Sequence, residues 1–361
     1  MYNCVMKILI VFNHPAPYKV ALFNGLAKHH DVHVIFERFA AKDRNKDFYN
    51  EANYEFTFHK INGINLGNEN HLCTGVKRHL KKHQYDLIIM NGYSTLTEMI
   101  ALRYLKRKKI PYAFYINGGI VKNESKLRYK IKRYFISGAA LYFSPAPKAN
   151  EYLEHYGAPK HLIHNYPYST VYAKDILHTQ LSTRAKQTFW QNEHIIGKNF
   201  TICITSFIKR KNNEVIIRAW ENVPKDHVLI LVGEGPKREC YEEIIKKQHL
   251  PNVYLLPFAA KEKVALYLKH AHNAVYLSNY DIYGHVINEA LAHGLNVLTN
   301  TNMIAAHALI RHNENGLIAG EDLNASLHDL FSKDFFNAAT SSAVTIEDSV
   351  TAHLEILEKI K

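Results

Sequence analysis

The chain has 361 residues, 47% of them hydrophobic and 22% charged, with 16 glycines and 11 prolines. That composition excludes a disordered or collagen-like chain, and the length suits two domains of about 150–180 residues each. Lysine and arginine number 45 against 33 acidic residues, a formal charge of +12, which leaves nucleic acid, anionic lipid and a polyanionic substrate as the partner classes to weigh.

Taken in chain order, Lys7–Phe12 (KILIVF) reads as a buried strand, followed by a helix around Val20–His29 and a strand at Val32–Phe36. Leu87–Met90, a helix over Leu96–Lys108 and Tyr112–Ile116 continue the alternation. Lys122–Phe143 carries Leu127, Ile131, Tyr134 and Phe135 at helical spacing, crowded by Lys126, Arg128, Lys130, Lys132 and Arg133. Such a basic helix with an apolar stripe suits an anionic membrane surface, unless the stripe packs on the sheet. Pro167 and a stretch without strand character, 165–198, read as a connector. Beyond it come strand Phe200–Thr205, helix Glu214–Trp220, strand His227–Val232, helix Lys237–Gln248 and strand Val253–Leu256. Helix Lys261–His270, strand Ala274–Ser278, helix Val286–His293 and strand Leu295–Thr299 follow, and Thr345–Ile360 reads as an amphipathic helix.

Continuous apolar strands separated by helix-length segments imply parallel sheets covered on both faces, so the pattern predicts two doubly wound α/β domains facing a cleft. The expected boundaries are 1–170, a connector at 171–198, a second domain at 199–340, and a final helix at 341–361. Such sheets bind ligands at the carboxyl ends of their strands.

Cys4, Cys73, Cys203 and Cys240 show no CxxC or metal-like spacing, which points to a reducing compartment without a disulfide framework. No apolar run approaches a membrane span, and Ile8–Phe12 is too short for a signal-peptide core, so a cytoplasmic protein is expected. Among 23 histidines, His29/His33 and His79/His83 have HxxxH spacing without the HExxH pattern, and they read as surface histidines rather than metal ligands.

The most informative stretch is 278–300, S-N-Y-D-I-Y-G-H-V-I-N-E-A-L-A-H-G-L-N-V-L-T-N. It reads as strand, loop, helix, glycine stop, strand, with Gly284 at the helix entry and Gly294 at its end. A helix N-terminus presents unpaired N–H groups, and a glycine there lets a diphosphate approach closely. Asp281 lies before that turn and Glu289 after it. Together they can accept hydrogen bonds from hydroxyls on either side of a bound diphosphate, as a sugar nucleotide would offer.

This D-x7-E followed by A-L-A-x-G-L-x-V resembles the E-x7-E signature of retaining glycosyltransferases of the GT-B fold, family 4. The resemblance implies that Asp281 and the Gly284 backbone meet the donor sugar and Glu289 the ribose, with Tyr283, His285 and Val286 beside them. Residues 205–220 resemble the segment that grips the donor diphosphate. Lys211 occupies the Lys position, and Ser206 stands where the family has Arg. Lys209 or Arg210 is left to supply the missing charge, although Lys lacks the forked geometry of Arg. Leu231–Pro236, with Gly233 and Glu234, resembles the glycine-rich turn after the domain's second strand, and Pro257-Phe258 resembles the segment that meets the base. Asn13, His14, Pro17, Tyr18, Tyr93, Asn117, Gly118 and Gly119 fall where the family lines its acceptor side, with Asn117 in place of a frequent His.

The resemblance further implies metal-independent sugar transfer, with retention, from a nucleoside diphosphate sugar to a glycan or lipid-linked hydroxyl. Asp281, Lys211 and Glu289 would form the catalytic centre, with no cofactor and no metal. It also implies a last helix crossing back to the first domain and a polysaccharide or capsule setting at the inner membrane face. A sugar-nucleotide epimerase of the same fold is the nearest alternative. A phosphorylase would need a pyridoxal lysine, for which there is no motif. Nucleic-acid binding is the alternative from another class, and no helix-turn-helix, RNP or KH signature supports it.

Overall fold

The structure, a computed structural model, describes residues 5–38, 54–66 and 71–359. Cys4 and the end of the predicted Thr345–Ile360 helix lie outside them. The chain divides into two compact units, one running to Tyr168 and resuming at Ile346, the other Ser169–Thr345.

The first unit opens with β1 (Lys7–Phe12), α1 (Pro17–Ala27), β2 (Asp31–Phe36) and β3 (Thr57–Lys60). A short antiparallel pair, β4 (Ile64–Asn65) and β5 (His71–Leu72), leads to α2 (Gly75–Lys82), β6 (Leu87–Met90) and α3 (Leu96–Lys108). Then come β7 (Ala113–Tyr115), α4 (Lys126–Ile136), β8 (Leu141–Ser144), α5 (Pro147–His155) and β9 (Ile163–Asn165). Seven strands pair in parallel in the order β3-β2-β1-β6-β7-β8-β9. Ile8–Phe12 in β1 is buried throughout, the consequence of a strand covered on both faces. Helix starts are locally specified. Pro17 and Pro147 open α1 and α5, and Thr95 with Glu98 forms a reciprocal capping box at α3.

The second unit contains α6 (Thr183–Asn192), β10 (Asn199–Ile204), α7 (Asn213–Ala219), β11 (His227–Val232), α8 (Arg238–Lys247) and β12 (Val253–Leu256). It continues with α9 (Lys261–His270), β13 (Asn273–Tyr276), α10 (His285–Ala292), β14 (Asn296–Thr299) and α11 (Ile304–Leu309). It ends with β15 (Leu317–Ile318), α12 (Leu323–Ser332) and α13 (Phe336–Ser342). Its six strands are parallel in the order β12-β11-β10-β13-β14-β15. The last helix, α14 (Ile346–Glu358), belongs to the first unit. There His353 is buried, its ring 5.0 Å from that of Phe143 and 4.8 Å from that of Tyr166.

Two local readings change and a third choice narrows. Residues 171–198 belong to the second unit, where Trp190 of α6 is fully buried and its indole donates to the His270 carbonyl at 2.9 Å. The basic helix stops at Ile136, and the chain re-enters the first sheet as β8. Of the apolar stripe on α4, Leu127, Ile131 and Tyr134 are 69%, 46% and 45% exposed, while Phe135 is half-buried and stacks on Tyr93.

The histidine spacing also acquires a different meaning. His33, His59, His79 and His83 gather in the first unit, with His33 Nδ1 2.8 Å from His59 Nε2 and the His79 and His83 rings stacked at 4.5 Å. These four are half-buried, whereas His29 is exposed, as the surface reading expects. Burial, and next the neighbouring imidazoles, push His79 down to about 4.

Candidate functional site

In the second sheet the direction of strand order reverses between β10 and β13. Loops leaving the carboxyl ends of those strands diverge there and open a crevice. The loop after β10 carries Arg210 and Lys211, and the loop after β13 carries Asp281. Lys211 Nζ stands 2.5 Å from Asp281 Oδ2, and Arg210 Nη1 stands 3.3 Å from the same oxygen. The Lys211 and Asp281 side chains are only 14% and 13% exposed. Burial alone would raise the Asp281 carboxyl. Lys211 and then Arg210 outweigh it and hold the group below the ordinary carboxylate range.

Backbone bonds fix the two loops to one another. Asn279 N donates to the Arg210 carbonyl at 2.9 Å, and Arg210 Nη1 donates to the Tyr280 carbonyl at 3.2 Å. On its other side Asp281 N donates to the Asn302 carbonyl at 3.0 Å, and Asp281 forms a parallel bridge with Met303. Arg210 is therefore tied to the second loop through both its carbonyl and its guanidinium, and one carboxylate partly neutralises both cations.

Gly284 is the N-cap of α10, with φ of +99°, a left-handed conformation that a side chain would strain. Helix α10 starts at once after it, and the first N–H groups of a helix lack the i−4 partners of its interior. Tyr283 is buried and lies 4.9 Å from the His285 ring. Val286 is half-buried in the first turn. Glu289, one turn on, accepts a hydrogen bond at Oε1 from Thr170 Oγ1 at 2.8 Å.

The remaining residues that the resemblance assigns to the donor side also follow strand ends. Gly233 after β11 passes so close to β10 that a Cβ would overlap the Thr205 carbonyl oxygen. Glu234 O accepts from Phe207 N at 2.8 Å, while its carboxylate pairs with Arg238 at 3.2 Å. After β12, Pro257 is exposed and Phe258 is 60% exposed. Ser206 and Lys209 are exposed. The structure thus brings Arg210, not Lys209 or Ser206, to the Lys211–Asp281 pair.

Thr170 and Asn288 were not singled out from the sequence. Asn288 is fully buried. Its Nδ2 donates to Ser169 Oγ at 3.1 Å and to the Val344 carbonyl at 2.8 Å, and its Oδ1 accepts from Val344 N at 2.9 Å. The available signal was an Asn beside the apolar positions Ile287, Ala290 and Leu291 on a short helix.

In the first unit the switch point lies between β1 and β6. Asn13 and His14 follow β1, with His14 Nδ1 2.8 Å from Asn13 Oδ1. Asn117 after β7 donates from Nδ2 to Asn91 Oδ1 after β6 at 3.1 Å. Tyr93 stacks on Phe135 at 5.8 Å and meets the Tyr152 hydroxyl at 3.0 Å. Gly118 and Gly119 continue the same turn, where Gly119 lies against the Tyr152 ring. Pro17 is the first residue of α1, and the Tyr18 hydroxyl lies 3.3 Å from that of Tyr168. Lys19, missed from the sequence, is buried with Nζ 2.7 Å from the Tyr115 hydroxyl and 4.3 Å from the ring centres of Tyr115 and Tyr168. Burial lowers its ammonium well below the ordinary lysine range.

Two family models match the chain: "Glycosyltransferase Family 4" over residues 18–166 and "Glycosyl transferases group 1" over residues 185–333. Among curated proteins, an uncharacterized glycosyltransferase YqgM of Bacillus subtilis is 27% identical over 147 residues, 38% of this chain and 40% of that protein. A chitobiosyldiphosphodolichol beta-mannosyltransferase of Mus musculus is 32% identical over 145 residues, 36% of this chain and 30% of that protein. The matches thus span well under half the length of these relatives.

Among solved structures, Anabaena Alr3699/HepE in complex with UDP superposes with a TM-score of 0.75 at 17% identity, covering 98% of this chain and 99% of that one. A glycosyltransferase from Rickettsia africae gives 0.76 at 13% identity, covering 98% of each chain. At such identities the likeness is one of fold. The two domain matches and that fold together place the chain among the GT-B glycosyltransferases, a family 4 domain preceding a group 1 domain.

Proposed function

We infer that the protein transfers a sugar from a nucleoside diphosphate sugar to an acceptor hydroxyl, with the donor held at the carboxyl edge of the second sheet. The observation that carries this reading is the convergence of Arg210, Lys211 and Asp281 beside the Gly284 entrance to α10. Two fixed cations and a helix N-terminus suit a diphosphate leaving group, whose charge grows as the glycosidic bond breaks. Glu289 would take the ribose hydroxyls and Asp281 the sugar, with the exposed Phe258 ring offering a face to the base.

In this reading transfer proceeds with retention and without a metal, the departing phosphate assisting attack by the acceptor hydroxyl. The acceptor would lie against the strand ends of the first unit, where Asn13, Asn91 and Asn117 supply amides. The exposed stripe Leu127–Ile131–Tyr134, flanked by the exposed Lys126, Arg128, Lys130 and Arg133, supports docking on an anionic membrane that presents a lipid-linked acceptor.

A thermal-shift panel of nucleoside diphosphates and their sugars tests the donor reading. Uridine nucleotides come first, since the Anabaena structures contain UDP and UDP-glucose. Stabilisation by at least one of them, lost in Glu289→Ala, is the expected result. Stabilisation by none would overturn it.

A further inference from the structure

Helix α10 is fastened to two distant stretches of the chain by consecutive residues. Glu289 accepts from Thr170, and Asn288 binds Ser169 and both backbone polar groups of Val344. Ser169 is itself tightly bound, its Oγ donating to the Val344 carbonyl at 2.7 Å and accepting from Val171 N at 2.9 Å. These two stretches are not arbitrary. The chain enters the second unit at Ser169 and leaves it after Thr345.

We propose that Thr170 is a positioning residue for Glu289, held in register by the Ser169–Asn288–Val344 clamp, so that the ribose-binding carboxylate is oriented before the nucleotide arrives. The inference rests on the donor site proposed above. A glutamate on a helix surface otherwise samples several rotamers, and fixing one of them costs binding free energy. The Thr170 hydroxyl selects one orientation at Oε1. An ionised carboxylate has about four acceptor positions, so one such bond leaves capacity for both ribose hydroxyls.

The clamp places the hydroxyl. Asn288 uses both its amide and its carbonyl on Val344, a two-point contact that fixes backbone position as well as direction. Its amide also reaches Ser169, one residue from Thr170. The orientation of Glu289 therefore depends on the path of both chain passages at the edge of the unit.

The test uses the full chain and measures binding of UDP, with GDP in parallel, by calorimetry, together with the melting temperature. Thr170→Val keeps the shape and removes the hydroxyl, and Thr170→Ala is the second variant should the valine disturb folding. The expected result is nucleotide binding about tenfold weaker in either one, from loss of a hydrogen bond to a charged group. Thr170→Ser restores binding to within about twofold because the hydroxyl returns. In a Glu289→Ala background, Thr170→Val adds nothing, since the two residues act through one contact. With a donor in hand, Thr170→Val raises KM and leaves kcat unchanged.

Wild-type binding by Thr170→Val, alongside impaired binding by Glu289→Ala, would overturn the positioning role while sparing the donor site. Equal losses in Thr170→Ser and Thr170→Val would also overturn it. Wild-type binding by Glu289→Ala would instead sink the donor-site reading, and this inference with it.

Discussion

Lys211 and Asp281 are separated by 70 residues in sequence, yet Nζ and Oδ2 meet at 2.5 Å in a largely buried pair. The meeting follows from topology. β10 and β13 are neighbours in the sheet although two β-α units lie between them in the chain, so the loops after them converge. The carboxylate sets how much positive charge the loop offers to a ligand. Removing either partner should therefore have different consequences.

Lys211→Met is expected to lower kcat/KM by about 100-fold, the scale of losing one preorganised charge at a leaving group. Asp281→Asn removes negative charge beside the same cations, so nucleoside diphosphate binding is expected to hold or tighten while transfer falls. Calorimetric Kd values beside steady-state rates check both. Parallel losses of binding in the two variants would contradict this division of roles.

Gly284→Ala should destabilise the protein by about 1–2 kcal/mol, the cost of a left-handed conformation for a residue with a side chain. The added Cβ would also stand 2.5 Å from Met303 Cε, a contact that a flexible methionine end can relieve. Urea denaturation of wild type, both single variants Gly284→Ala and Met303→Ala, and the double variant separates the two effects, because truncating the buried Met303 carries its own cost. The cycle should show little coupling, because the backbone strain remains.

Glu37 and Glu98 form a buried acid pair bridged by Thr95, whose Oγ1 donates to Glu37 Oε1 at 2.8 Å and accepts from Glu98 N at 3.1 Å. Burial raises both carboxyls, and the neighbouring Glu98 pushes Glu37 further, to about 8. The folded state therefore keeps protons that the unfolded chain releases near 4.5. This contribution to stability is present below that value and is lost as pH rises toward about 8. Glu37→Gln should flatten the fall in denaturation free energy between those limits. An unchanged slope would refute this raised-acid account.

The exposed α4 face predicts binding to vesicles containing phosphatidylglycerol, weakened by salt, and little binding to phosphatidylcholine alone. Leu127→Ser/Ile131→Ser should reduce partitioning by about tenfold or more through lost apolar insertion. Donor binding should stay unchanged, because these residues lie in the first unit and the residues proposed to hold the donor lie in the second. Co-sedimentation across lipid composition and ionic strength measures this.

Much of the fold was legible because parallel strands must be apolar on both faces. β1, β6, β10, β11 and β14 stand out as continuous hydrophobic runs, and the Gly284 turn carries its own local signature. β3, β9 and β15 were not readable. They are short, lie at or near sheet edges, and are only partly buried, so no dense apolar run marks them. β8 was hidden inside the end of an apparent helix, since four buried residues fit either period.

The glycine entry to α10 and its flanking carboxylates were legible along the chain, because helix-entry glycines and neighbouring acids act through local backbone chemistry. The sequence by itself could not choose among Ser206, Lys209 and Arg210 as partners of Lys211. That choice depends on which side chain reaches Asp281 across the β10–β13 switch point. Nor could it reveal Thr170 or Asn288, whose partners lie up to 119 residues away. Those contacts exist only once the chain's entry and exit at the second unit have been brought against the same helix. Tertiary structure alone decided them, because hydrogen bonds between side chains depend on separation in space and not on separation along the chain.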